Sequence, residues 1–198
     1  MARIRTLAAT AVAMLLIAGS ALAQTPTETP ELQRSVEPEA CTVEPRTVES
    51  LQEIVDRPAP DGTDVRIEVR FAPGDGQVAG DVAESQVTLV MYQLAACFNA
   101  GDLLRVYALF SDEGLRPALF PEDIESAETV TPEPLDEASW FPEPIVWDAR
   151  VQTDGRVTAL VDFDGEVALV TFVWDDEQDR YLIDLYDDQI SQEITPEA

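Results

Sequence analysis

Asp148 and Arg150 stand two positions apart in the strand-like run from Ile145 to Thr153, which puts both side chains on one face of that strand. Asp162 or Asp184 could approach them from neighbouring strand-like runs. The chain holds no histidine, so the commonest general base and the commonest zinc ligand are absent together. Any catalysis would rest on carboxylates, tyrosines or arginines. Alternating charge on a strand is ordinarily the solvated face of a sheet, with arginine and aspartate paired across strands, and that structural reading outweighs a catalytic one here.

Other carboxylates raise the question of metals. Asp162, Asp164, Gly165 and Glu166 resemble the opening of a calcium loop, but the bidentate acid at the required spacing and the flanking helices are missing. An ordinary hairpin turn accounts for these residues better. Asp175, Asp176, Glu177 and Asp179 form a second acidic cluster, and weak cation binding stays open at both. No resident metal or cofactor is expected, because no nucleotide loop, metal cluster or catalytic motif stands in the sequence.

The elements that must position these residues fall into two halves. Thr47 to Val55 reads as a short helix ended by Pro58 and Pro60. Val65, Ile67, Val69 and Phe71 alternate with charged residues as a half-buried strand does, and Gly74, Asp75 and Gly76 then turn the chain. From Val82 the period becomes helical, with Val87, Val90, Met91, Leu94, Cys97 and Phe98 on one stripe. That helix should end at Asn99 to Gly101; Asp102 can cap a second helix, and Ser111 or Asp112 a third turn. Pro121 to Pro144 reads as a long Pro- and Glu-rich loop docked by Trp140 and Phe141. The runs Ile145 to Thr153, Arg156 to Asp162, Glu166 to Trp174 and Arg180 to Tyr186 form a β-meander. Its turns are Asp154 with Gly155, Asp164 with Gly165, and the acidic stretch Asp175 to Asp179. Helices followed by a meandering antiparallel sheet make an α+β domain.

Composition sets an address and removes partners. Arg3 and Arg5 precede the apolar stretch Leu7 to Ala18 and the small residues Ala21, Leu22 and Ala23, the layout of a secretory signal peptide cut between Ala23 and Gln24. The apolar stretch is shorter than the ~20 residues a membrane-spanning helix needs. The expected organisation is a leader over 1–23, a disordered Pro/Thr/Glu-rich tether over 24–40, one domain over 41–190 and a disordered tail over 191–198. The expected location is secreted or extracytoplasmic. Outside the cytosol two thiols usually pair, so a disulfide between Cys41 and Cys97 is expected, with two separate buried thiols as the alternative. All 12 basic residues are arginine against 39 acidic ones, a formal net charge of −27. Such a chain repels phosphate backbones and anionic lipid surfaces, which argues against nucleic acid and, once the leader is removed, against membrane as partners. Cations, basic peptides or plain solubility remain on charge grounds, and the expected partner is an apolar small molecule or another protein.

The Asn99-Ala100-Gly101-Asp102 turn, the Ala108-Leu109-Phe110-Ser111-Asp112 segment and the closing Arg180-Tyr181-Leu182-Ile183-Asp184 after two Asp-Gly hairpins resemble the nuclear transport factor 2-like superfamily. This superfamily is also known as ketosteroid isomerase-like or polyketide cyclase-like. The likeness covers roughly Val82 to Tyr186. It implies a cone, with N-terminal helices packed on a curved antiparallel β-meander, often with a pocket at the open end and often a homodimer through the sheet. It does not imply an activity, because this fold hosts isomerases, cyclases, hydrolases and silent modules. An ungapped alignment puts the isomerase's oxyanion-binding tyrosine at Leu94 and its general-base aspartate at Ala118, and neither side chain here can do that work. Tyr92 and Tyr107 are out of register, and cyclase-like chemistry that relies on histidine is excluded by composition. Epoxide hydrolases of this fold use Asp, Arg and Asp to orient a water and protonate an oxygen, for which the candidates here are Asp148, Arg150 and Asp162. The reading reached is an exported noncatalytic small-molecule-binding or protein-interaction module. The alternatives are a hydrolase or isomerase using that constellation and a structural cell-envelope protein with a filled cone.

Overall fold

The computed structural model describes residues 34–57, 71–117, 119–129, 131–163 and 165–187. The leader with its cleavage point at Ala23 and Gln24, residues 24–33 of the tether, most of the strand expected at Val65 to Phe71, Ala118, Asp164 and the tail lie outside the described residues. The architecture is α+β. Helices α1 (Val48–Asp56), α2 (Asp81–Asn99), α3 (Leu103–Tyr107), α4 (Asp112–Leu115) and α5 (Pro121–Thr129) precede strands β2 (Ile145–Val151), β3 (Val157–Phe163), β4 (Glu166–Asp175) and β5 (Arg180–Asp187). A two-residue strand β1 (Gln77–Val78) lies between α1 and α2. The five strands form one open antiparallel sheet in sequential order β1-β2-β3-β4-β5.

The helix starts follow from side chains that accept orphan backbone N–H groups. Thr47 accepts from the Ser50 N–H, Asp102 from Arg105 and Ser111 from Gly114. The two Asp-Gly turns work because Gly155 and Gly165 take positive φ angles of 88° and 85°, which a β-carbon would disfavour.

One face of the sheet carries the core. Val157, Ala159 and Val161 of β3, Val170 and Phe172 of β4 and Ile183 of β5 cluster with Val87, Met91, Leu94 and Cys97 of α2. Each large apolar side chain so buried contributes about 1.5–3 kcal/mol relative to exposure. The free edge of β5 is covered at its centre, where Ile183 donates to the Leu109 carbonyl and accepts from the Ser111 N–H, both at 2.8 Å. That cover leaves the edge less open to pairing with another chain.

Two expectations change. The segment after Pro121 is not all loop, because α5 occupies its first third. Proline fits at the first helical position, Asp123 accepts the Phe120 N–H at 2.9 Å, and Ile124 is buried with Leu51, Ile54, Leu115 and Leu119 in a second core. The ordered chain also begins upstream of Cys41. Val36 is 2% exposed inside the main core, and Val36 N–H bonds to the Phe141 carbonyl, so residues 34–40 belong to the fold despite their tether-like composition. The disulfide between Cys41 and Cys97 is present and ties this strap to α2.

Candidate functional site

Asp148 and Arg150 do meet, by a route that strand alternation does not anticipate. Two residues of β2, Asp148 and Ala149, oppose the single residue Ala159 of β3, a β-bulge between Trp147 and Arg150. Asp148 takes φ 51°, in the left-handed region that aspartate tolerates better than most residues. Its Oδ1 receives Arg150 Nε at 2.8 Å and the Arg150 terminal nitrogen at 2.7 Å. The pair therefore closes on itself, with both side chains about a quarter exposed, at 29% and 25%.

Asp162 is not brought to that pair. The residue opposite Arg150 is Thr158, and Asp162 lies four positions further along β3, roughly 13 Å away at strand spacing. Its carboxylate accepts the Gly165 N–H at 2.7 Å and so shapes the β3–β4 turn. The register thus separates the three residues that water activation would need within reach of one atom.

Asp184 belongs to a different network. It is the extra residue of a second bulge, where Thr171 pairs with Leu185 but Phe172 pairs with Ile183. Asp184 accepts the Ser111 hydroxyl at 2.7 Å and Arg156 at 3.1 Å, while Arg156 also holds Asp154 at 2.9 Å and sits 4.9 Å over the Phe71 ring. Burial alone would raise the Asp154 carboxyl, but the hydrogen bonds and charge of Arg156 outweigh it and hold that group below its ordinary value. Ser111 faces a carboxylate without a histidine and also accepts the Gly114 N–H at 2.9 Å, which makes it a helix cap rather than a nucleophile.

A cleft of about 520 Å3 lies between the Glu44 to Arg46 segment, the corner from Ala108 to Asp112 and the β4–β5 turn. Its arginine is committed to the fold: Arg46 donates to the Tyr107 and Phe110 carbonyls at 3.1 and 2.7 Å and to Asp112 at 2.7 Å. Arg57 reaches the other Asp112 oxygen at 3.0 Å. Burial pushes Asp112 upward, yet the hydrogen bonds and charges of Arg46 and Arg57 together bring it below the usual carboxylate range. Arg180 donates to the Ala108 carbonyl at 2.8 Å and to Gln178, while its buried Nε has no hydrogen-bond partner among the described residues. Burial lowers the Arg180 pKa; Asp175 opposes this and Arg46 adds to it.

No family model, no curated protein and no solved structure matches the chain. The site must therefore be judged on geometry.

The remaining candidates are structural in their contacts. Leu94 is buried in the core, Tyr92 is half-buried against it, and Tyr107 is half-buried with a pKa raised by burial and by nearby Asp123. Asp175 accepts the Glu177 and Gln178 N–H groups at 2.8 and 3.0 Å, so it folds its own turn. Among the described residues no group of three or more histidine, cysteine or acidic side chains is arranged to hold a metal ion. Two residues with central roles were missed: Asn99, the chain's single asparagine, and Arg46. Asn99 lies at the last position of α2 and off its apolar stripe, so helical periodicity did not single it out.

The sheet's inner face bears directly on ligand binding. Val157, Ala159, Val161, Val170, Phe172 and Ile183 are each 0% exposed. A void roomy enough for a ligand would leave the side chains lining it with accessible surface, so no such void touches these residues.

Proposed function

We propose that this chain is an exported, noncatalytic protein-interaction module of nuclear transport factor 2-like fold. The observation that carries the reading is the closed inner face of the sheet. In a cone of that superfamily this is the face a substrate or small ligand would occupy, and here valine, alanine, phenylalanine and isoleucine fill it against α2. The order of helices before a sequential antiparallel meander, and the Asn99 to Asp102 turn between α2 and α3, support the superfamily assignment. Export is supported by the Cys41 to Cys97 disulfide, which fits an oxidising compartment, and by the signal-like leader. Among the described residues no helix is long and apolar enough to cross a membrane.

The noncatalytic reading is supported by the contacts that the candidate residues make. Asp148 and Arg150 neutralise each other, Asp162 holds a turn, and Asp184 holds Ser111 and Arg156. The closed face supports a second reading equally, a structural protein of the cell envelope.

Native mass spectrometry of the protein purified from its own host tests the proposal. The expected spectrum shows the chain alone or with a stoichiometric protein partner. A stoichiometric small-molecule adduct that survives gentle desolvation would overturn it, and self-assembly without a partner would favour the envelope reading.

A further inference from the structure

We draw no further inference here: the strongest candidate, the cleft between the Glu44 to Arg46 segment, the Ala108 to Asp112 corner and the β4–β5 turn, is an acidic-rimmed surface whose arginine already serves the fold, and nothing else in it points to a ligand.

Discussion

The Asn99 carboxamide holds the Phe141 backbone from both sides, accepting its N–H at 2.7 Å and donating to its carbonyl at 3.1 Å, while also donating to the Val36 carbonyl at 2.7 Å. One fully buried side chain thereby joins the end of α2, the N-terminal strap and the loop before β2. The join also fixes the Phe141 ring, whose centroid lies 5.4 Å from that of Phe98 and 5.9 Å from that of Phe163.

Replacing Asn99 with Leu should leave the Phe141 N–H and the Val36 carbonyl without partners. The Val36 carbonyl is fully buried and the Phe141 N–H only partly, and an orphaned buried group costs about 1–3 kcal/mol, so a loss of about 2 kcal/mol is expected in urea unfolding. Asn99→Asp should do no better, because a carboxylate oxygen would then face two carbonyls. A loss below about 1 kcal/mol for Asn99→Leu would show that the strap and loop are held by other contacts.

The disulfide spans a sequence separation of 56 residues and sits where Cys41 is 6% and Cys97 0% exposed. Opening it restores unfolded-chain entropy worth on the order of 4 kcal/mol. The Cys41→Ala, Cys97→Ala double variant should therefore melt roughly 8–16 °C below the wild type. Wild-type protein under strong reductant should approach the same curve. Identical melting with and without the bridge would show that it adds no stability.

Asp148 offers a test that separates backbone from side chain. Its positive φ predicts that Asp148→Val loses about 2 kcal/mol, because a β-branched residue is strained in the left-handed region. Asp148→Gly relieves that strain and sacrifices only a partly exposed ion pair, worth about 0.2–1 kcal/mol. Guanidinium denaturation of the two variants should rank glycine clearly above valine; equal stabilities would refute the bulge at this position.

How far the sequence could be read depended on whether local residues decided the outcome. The meander and α2 were legible because Asp-Gly turns and helical periodicity are local signals, and Asp102 and Ser111 cap helices as their types suggest. The β2 bulge was not legible, since an aspartate rather than a glycine occupies the left-handed position and two-residue alternation hides the slip. Helix α5 was obscured by proline density, although Pro121 starts it. The strap over 34–40 was missed because its burial depends on Asn99 and Phe141, which are remote in sequence. Asp162 stands apart from Asp148 and Arg150 because the pairing of β2 with β3 puts Thr158 opposite Arg150 and Ile145 opposite Asp162. Which residues of two strands stand opposite each other is set by turn and bulge together, and only the turn could be seen.

Asp112 gives the fold a specific acid sensitivity. Its folded pKa is lower than its unfolded value, because Arg46 and Arg57 outweigh the effect of burial. Its stabilising contribution is therefore fully present above the ordinary carboxylate value near pH 4 and is lost as the pH falls through the lowered folded value. Asp112→Asn keeps the size and an acceptor but removes the charge, and with the side chain 39% exposed solvent screening limits the expected cost to about 1 kcal/mol at neutral pH. Total stability is a poor readout on its own. The net charge of −27 relaxes as the pH approaches the isoelectric point near 4.1, which stabilises wild type and variant alike. The difference between their melting temperatures isolates the pair. That difference should be constant from pH 7 to about pH 5 and then shrink towards zero below about pH 4. A difference that holds steady or widens in acid would mean that Asp112 is not held ionised by its two arginines.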